Sequence, residues 1–163
     1  MIEQRTGIGF DAHRFADGRA LVLGGVRIDH PRGLAGWSDA DALLHAIADA
    51  VLGAAALGDI GRHFPPSDPE WQDADSRQLL AAAVALAARE GWSVAHVDAT
   101  VLAEAPRIAP HAAAMRSAIA VACGIDPATV SVKATTMEGM GFVGREEGIA
   151  AMAVASLVRG KDA

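Results

Sequence analysis

The stretch from Ser38 to Gly58 constrains the fold more than any other part of the chain. Leu43, Leu44, Ile47, Val51 and Leu52 recur there at helical spacing, the pattern of a helix that buries an apolar face. Ser38 or Asp39 is expected as its N-cap. Asp41, three residues after Ser38, completes a variant capping box, and Gly58 is the expected stop. The core around this helix has to be built from small side chains, because aromatic residues make up 4% of the chain and Tyr is absent. Apolar burial contributes about 25 cal/mol per Å², and small residues each bury little. Association of several copies of the chain is the expected source of further buried area.

At 163 residues the chain has the size of one domain, and residues 1–163 are read as a single unit. A second helix opens at Asp75-Ser76, runs through Leu79, Leu80, Val84 and Leu86, and ends near Gly91. A third spans about Pro110–Cys123, stopped by Gly124. Strands are expected over Arg5–Phe15, Ala20–Ile28, Trp92–Ala103 and Val130–Thr135. The turn residues Ala16 to Arg19 would join the first two as a hairpin or long flap, with Gly24-Gly25 interrupting the second. In Trp92–Ala103, Val94, His96, Asp98 and Thr100 share one parity, and Ala95, Val97, Ala99 and Val101 the other. The small apolar residues of Gly148–Val158 leave strand and helix both open. Helices do not alternate strictly with strands, so the expected class is α+β: a mixed sheet of about four strands with helices packed on one face.

The formal net charge is −6, the wrong sign for a general nucleic-acid or acidic-membrane binder. No apolar run reaches the roughly 18–20 residues of a membrane span, and Met1 to Arg5 lacks the apolar core of a signal peptide. The single cysteine, Cys123, excludes an intramolecular disulfide and a Cys-cluster zinc finger. A reducing, cytoplasmic setting is expected.

Four groups of residues carry chemistry. Asp11 and His13, two apart on a strand, project to the same side, and a carboxylate with an imidazole suits Zn²⁺ or a similar divalent ion. His45 shares a helix face with Asp41 and Asp49 at i−4 and i+4, and either could orient its second ring nitrogen. Alone, each has an ordinary structural explanation. Together, Asp11, His13 and His45 make a three-ligand site with one open position, which is the catalytic arrangement. Gly58 to Pro69 forms a Gly- and Pro-rich loop in which Asp59 and Asp68 could meet hydroxyls or a cation. Lys133 to Glu138, followed by Gly141 to Arg145, offers Thr hydroxyls, backbone N–H groups, Arg145 for phosphate and Glu138 for a hard cation. No Walker or nucleophile-elbow motif is present. Cys123, at the end of an apolar helix, reads as packing.

In order, Gly7 to His13, Ser38-Asp39-Ala40-Asp41 with His45, Leu57 to Gly61, Phe64-Pro65 with Asp68-Pro69, Asp75-Ser76-Arg77, Ala105-Pro106-Arg107, Val132 to Thr136 with Glu138, and Gly141 to Arg145 resemble the 2-C-methyl-D-erythritol 2,4-cyclodiphosphate synthase family. The set spans nearly the whole chain. The resemblance implies a homotrimer with active sites between neighbouring subunits. The implied reaction is attack of the substrate's 2-phosphate on the β-phosphorus of its cytidine diphosphate, closing a cyclic diphosphate and releasing CMP. The substrate brings its own nucleophile. On this resemblance Asp11, His13 and His45 hold Zn²⁺, and Glu138 holds Mg²⁺ or Mn²⁺ on the diphosphate. Thr136 hydrogen-bonds the reacting phosphates. Asp11, Ala12, His13, Trp37, Ser38, Asp59, Ile60, Gly61, Phe64, Pro65, Pro66, Ser67, Asp68, Phe142 and Arg145 line the substrate. Ala103, Glu104, Ala105, Pro106, Arg107, Ile108 and Ala109, with Ala134, Thr135, Thr136, Met137 and Glu138, hold the nucleotide across the interface.

The chain departs from the family pattern at three places. Trp37 stands where many members have a His credited with stabilising the transition state, and indole cannot carry a positive charge. Either that role is dispensable here or Ser38 or a backbone amide takes it, while Trp37 walls the pocket. Pro66 replaces a common acidic residue. Met152 replaces a Glu that in some members faces the central cavity, where an isoprenoid diphosphate is the expected ligand. Two rivals predict different products: a Zn²⁺ phosphohydrolase gives a linear phosphate, and a non-catalytic trimeric module gives none.

Overall fold

A computed structural model describes residues 2–160. Met1 and residues 161–163 of the expected domain lie outside them. The first strand, β1 (Ile2–Ala16), is followed by β2 (Leu21–Leu23), β3 (Val26–Ile28), β4 (Gly33–Leu34), α1 (Ala42–Ala54) and the single-turn α2 (Ile60–His63). Then come α3 (Ser76–Arg89), β5 (Ser93–Leu102), α4 (Ala112–Cys123), β6 (Val130–Thr135), the single-turn α5 (Gly141–Gly144) and β7 (Gly148–Gly160). Short 3₁₀ turns lie at Pro69–Trp71, Ala109–His111 and Pro127–Thr129.

The α+β class stands, with a mixed sheet of five strands instead of four, in the order β4-β1-β7-β5-β6. β1 and β7 pair antiparallel from Ile2↔Gly160 to Arg14↔Gly148. β5 runs antiparallel to β7 and parallel to β6. The added strand, β4, is two residues long, too short to show a period. β7 is a strand because β1 and β5 pair with both its edges. Its residues then alternate, with Ala151, Ala153, Ala155 and Leu157 buried and Met152 and Val154 exposed.

Four local expectations are corrected. Gly24 and Gly25 interrupt Ala20–Ile28 as expected, with positive φ of 59° and 73°, but the two halves fold into their own hairpin, β2 with β3, and do not pair with β1. The N-cap of α1 is Asp41, accepting from Leu44 N–H at 3.0 Å, not Ser38 or Asp39. Asp41 also accepts from Gly24 and Gly25 N–H at 2.9 and 2.7 Å, so the hairpin turn and the helix start share one carboxylate. The helix ends at Ala54, before Gly58. In β5 a register shift between Val94 and His96 bulges the strand. Val94 is therefore buried together with Val97, Ala99 and Val101, although it belongs to the other parity.

Helix α1 lies on β1 and β7, flanked by α3, and α4 packs between α3 and β6. The contact of α1 with β1 has no room for side chains on the strand. A Cβ at Gly7 would stand 2.1 Å from the Ala50 carbonyl oxygen, and one at Gly9 would stand 1.8 Å from that of Ala46. Positions 7, 9, 11 and 13 share this face: two glycines admit the helix, and the next two positions are Asp11 and His13. The alternate positions Ile8 and Phe10 are 67% and 54% exposed, opposite Val154 and Met152 at 37% and 42%. The sheet thus has one face covered by helices and an apolar belt on the other. No helix among the described residues is long and apolar enough to cross a membrane.

Candidate active site

Because α1 approaches β1 so closely, His45 reaches the strand ligands. His13 Nε2 and His45 Nδ1 stand 2.9 and 3.0 Å from Asp11 Oδ2, and 3.2 Å from each other. A tetrahedral ion at about 2.0–2.1 Å from each ligand separates ligand atoms by roughly 3.3 Å. The three atoms therefore form one face of a tetrahedron, slightly contracted, and the mixed oxygen and imidazole set fits Zn²⁺ or a similar divalent ion. It is the only group of three or more such side chains converging among the described residues. His13 Nδ1–H donates to the Ala35 carbonyl at 2.7 Å. A carbonyl only accepts, so Nε2 is the nitrogen left for a metal.

Burial by itself would raise the Asp11 carboxyl. The hydrogen bonds and charge of His13 and His45 outweigh it and hold the group well below the usual carboxylate range. Burial would lower His13, yet its hydrogen bond to Asp11 leaves it above the ordinary imidazole value. A cation at this triangle would compete with a proton on His13.

The expected partners of His45 are corrected. Asp41 is committed to the α1 cap, and Asp49 accepts from Ile60 N–H at 2.8 Å, holding the start of the next loop. Instead His45 Nε2 lies 2.9 Å from Ser76 Oγ and 3.3 Å from Ser38 Oγ. Ser76 Oγ in turn contacts the carboxylate of Asp39. Sequence reasoning missed these partners, because the spacing of 31 residues between His45 and Ser76 follows no local period.

A cavity of about 220 Å³ opens over the ligands, lined by Asp11, His13, Trp37, Ser38, His45, Ile60, Gly61, Phe64, Pro66, Trp71 and Leu79. Three of the chain's seven aromatic residues stand here. Phe64 meets Trp71 edge to face at 4.9 Å, and Trp37 Nε1–H donates to the Asp68 carbonyl at 3.1 Å. Trp37 is therefore a wall that also clasps the 64–71 loop. Pro65, Ser67 and Asp68 are in that loop but do not line the cavity, and the Asp68 carboxylate caps the 3₁₀ turn after it. The Asp59 side chain caps α2 through Arg62 N–H. Ala12 falls on the opposite strand parity and faces away from α1.

The nucleotide candidates gather elsewhere. Ala103, Glu104, Pro106, Arg107, Ile108, Ala109, Ala134, Thr135 and Thr136 line a separate cavity of about 200 Å³ at the ends of β5 and β6. Glu104 accepts from Met137 N–H at 2.7 Å and from Gly139 N–H at 3.5 Å, so it shapes the turn that carries Glu138. The Glu138 carboxylate is exposed and meets only Thr136 Oγ1, at 3.4 Å. Phe142 and Arg145 line neither cavity, and Arg145 pairs with Glu147 at 2.7 Å. A larger cavity of about 550 Å³ between α3 and α4 has no converging ligand set.

The YgbB family profile matches residues 4–158. The chain is 59% identical over 155 residues to the 2-C-methyl-D-erythritol 2,4-cyclodiphosphate synthase of Dechloromonas aromatica, covering 95% of this chain and 97% of that protein. Its fold superposes on the bifunctional IspDF of Campylobacter jejuni with a TM-score of 0.94 at 40% identity, over 99% of this chain and 44% of that one. It also matches the Plasmodium falciparum IspF solved as a CDP complex, with a TM-score of 0.84 at 30% identity over 97% of both chains. On the profile match and these identities, the chain belongs to the YgbB family.

Proposed function

We propose that this chain is a single catalytic unit with 2-C-methyl-D-erythritol 2,4-cyclodiphosphate synthase activity, acting in cytoplasmic isoprenoid biosynthesis as a CMP-releasing lyase. The observation that carries the reading is the convergence of Asp11 Oδ2, His13 Nε2 and His45 Nδ1 within hydrogen-bond distance of one another, beneath a cavity of about 220 Å³, in a chain of this family. Zn²⁺ on that triangle, and Mg²⁺ or Mn²⁺ on Glu138, would supply Lewis acidity that aligns the phosphates and neutralises the leaving group. The substrate's 2-phosphate attacks the β-phosphorus and the bond to CMP breaks, so no side chain is needed as a nucleophile. Positioning and charge neutralisation are most of phosphoryl-transfer catalysis. Trp37, Phe64 and Pro66 wall the erythritol end and exclude water. Thr136 offers a hydroxyl to the phosphates, and the 103–109 segment takes the cytidine.

We further propose a homotrimer. On one chain the metal-type cavity and the nucleotide-type cavity are separate, and a neighbouring copy packed on the apolar sheet face would bring them together. The test is ³¹P NMR of the protein with the diphosphocytidyl substrate, Zn²⁺ and Mg²⁺, with and without chelator. Metal-dependent appearance of CMP and a cyclic diphosphate is expected. A linear phosphate product, or intact substrate under full metal loading, would overturn the assignment.

A further inference from the structure

We propose that Asp39, acting through Ser76, fixes the ring tautomer of His45 and so keeps its Nδ1 bare for a metal ion. The proposal rests on reading Asp11, His13 and His45 as metal ligands. Its argument is a direction of hydrogen bonding. The Asp39 carboxylate accepts from Ser76 N–H at 3.0 Å and from Asp41 N–H at 3.3 Å, and its Oδ1 also meets Ser76 Oγ. A carboxylate has no proton to give, so the single hydroxyl proton of Ser76 points to Asp39. Ser76 Oγ then faces His45 Nε2, 2.9 Å away, only as an acceptor. Nε2, closer to this acceptor than to the Ser38 hydroxyl at 3.3 Å, then carries the ring proton. A neutral imidazole has one, so Nδ1 presents its lone pair to the triangle.

Without the relay, the opposite tautomer would be favoured. His45 Nδ1 lies 3.0 Å from Asp11 Oδ2, and a proton on Nδ1 would make a charge-assisted hydrogen bond there. That bond would occupy two of the three ligand atoms. If Ser76 were free to donate, it could turn its proton to Nε2 and stabilise this blocked form. Asp39 prevents the turn. Ser76 is fully buried and Ser38 is 6% exposed, so water does not compete. The relay also joins the starts of α1 and α3, which makes a ligand on one helix dependent on a residue at the beginning of another. Asp39 and Ser76 are positioning residues, since neither touches the ion or the substrate.

The test uses two variants, Asp39→Asn and Ser76→Ala. An amide at position 39 can donate to Ser76 Oγ and reverse the direction of the chain, and alanine removes the chain. Long-range ¹H–¹⁵N spectra of histidine-labelled, metal-free protein, taken above the imidazole titration range, read the His45 tautomer. The unaltered protein is expected to carry the proton on Nε2 and both variants on Nδ1. Zn²⁺ affinity, measured by chelator competition, is expected to fall roughly 10–100-fold in the variants, and the Co²⁺ absorption spectrum to change with it. Variants that keep the Nε2 proton, or bind Zn²⁺ within about twofold of the unaltered protein, would overturn the relay. If Ser76→Ala does not fold, Asp39→Asn carries the test. Failure of the unaltered protein to bind Zn²⁺ would overturn the metal reading itself, while the tautomer spectra would still decide the relay.

Discussion

The residues that decide the chemistry are held in place by groups with one fixed hydrogen-bonding direction. The Ala35 carbonyl orients His13, and the Asp41 carboxylate takes one backbone N–H at the start of α1 and two in the turn between β2 and β3. The candidate ligands are legible in the sequence: Asp11 and His13 from strand parity, and His45 from its place on an apolar helix. The partners of His45 were not, because Asp39 and Ser76 look like ordinary helix-start residues until tertiary structure brings them together. Cys123 reads as packing in the sequence, and the structure buries it. It is 5% exposed, and burial pushes its thiol up to about 12. A thiol raised in this way contributes stability that is present below the unfolded value near 9 and lost as pH rises through about 12. At pH 8, alkylation of Cys123 by iodoacetamide should therefore proceed only at the rate of unfolding. Labelling as fast as that of a free thiol in the native state would contradict this.

At the scale of elements, the decisive contact is between β1 and α1. Gly7 and Gly9 let the helix backbone rest on the strand, and that spacing brings His45 to Asp11 and His13. Gly9→Ala has to displace the Ala46 carbonyl or the strand. It should destabilise the fold by about 3 kcal/mol, at the upper end for overpacking, as measured by denaturant unfolding. Any folded fraction should bind Zn²⁺ weakly, because His45 is moved off the triangle. A Gly9→Ala protein with unchanged stability and metal affinity would show that the close approach is not what places the ligand. The elements α1, α3, α4, β5 and β6 are legible from period and turn residues, although the two ends of α1 are not. What escaped was set by tertiary pairing. β4 is two residues long. The bulge moves Val94 to the buried side. β7, with its run of alanines, is a strand only because it lies between β1 and β5.

The whole molecule presents two separate cavities and an uncovered apolar sheet face. Ile8, Phe10, Met152 and Val154 form a contiguous belt on that face, as an aromatic-poor chain that gains stability by association would need. In the proposed trimer, closed cyclic symmetry would let the Asp11–His13–His45 pocket of one copy meet the 103–109 and 134–138 segments of the next all around the ring. This joining of half-sites is the central claim, and mixing two inactive variants tests it most directly. His45→Ala removes a metal ligand and Glu138→Ala removes the carboxylate at the nucleotide half, so each alone should release no CMP. After subunit exchange at equal ratio, every mixed trimer contains one junction where an intact metal pocket meets an intact nucleotide segment. CMP release should then recover to roughly a quarter of the unaltered rate, because about three quarters of the trimers are mixed and each has one working site in three. No recovery, with mixed trimers demonstrated by native mass spectrometry, would mean that each active site is built within a single chain.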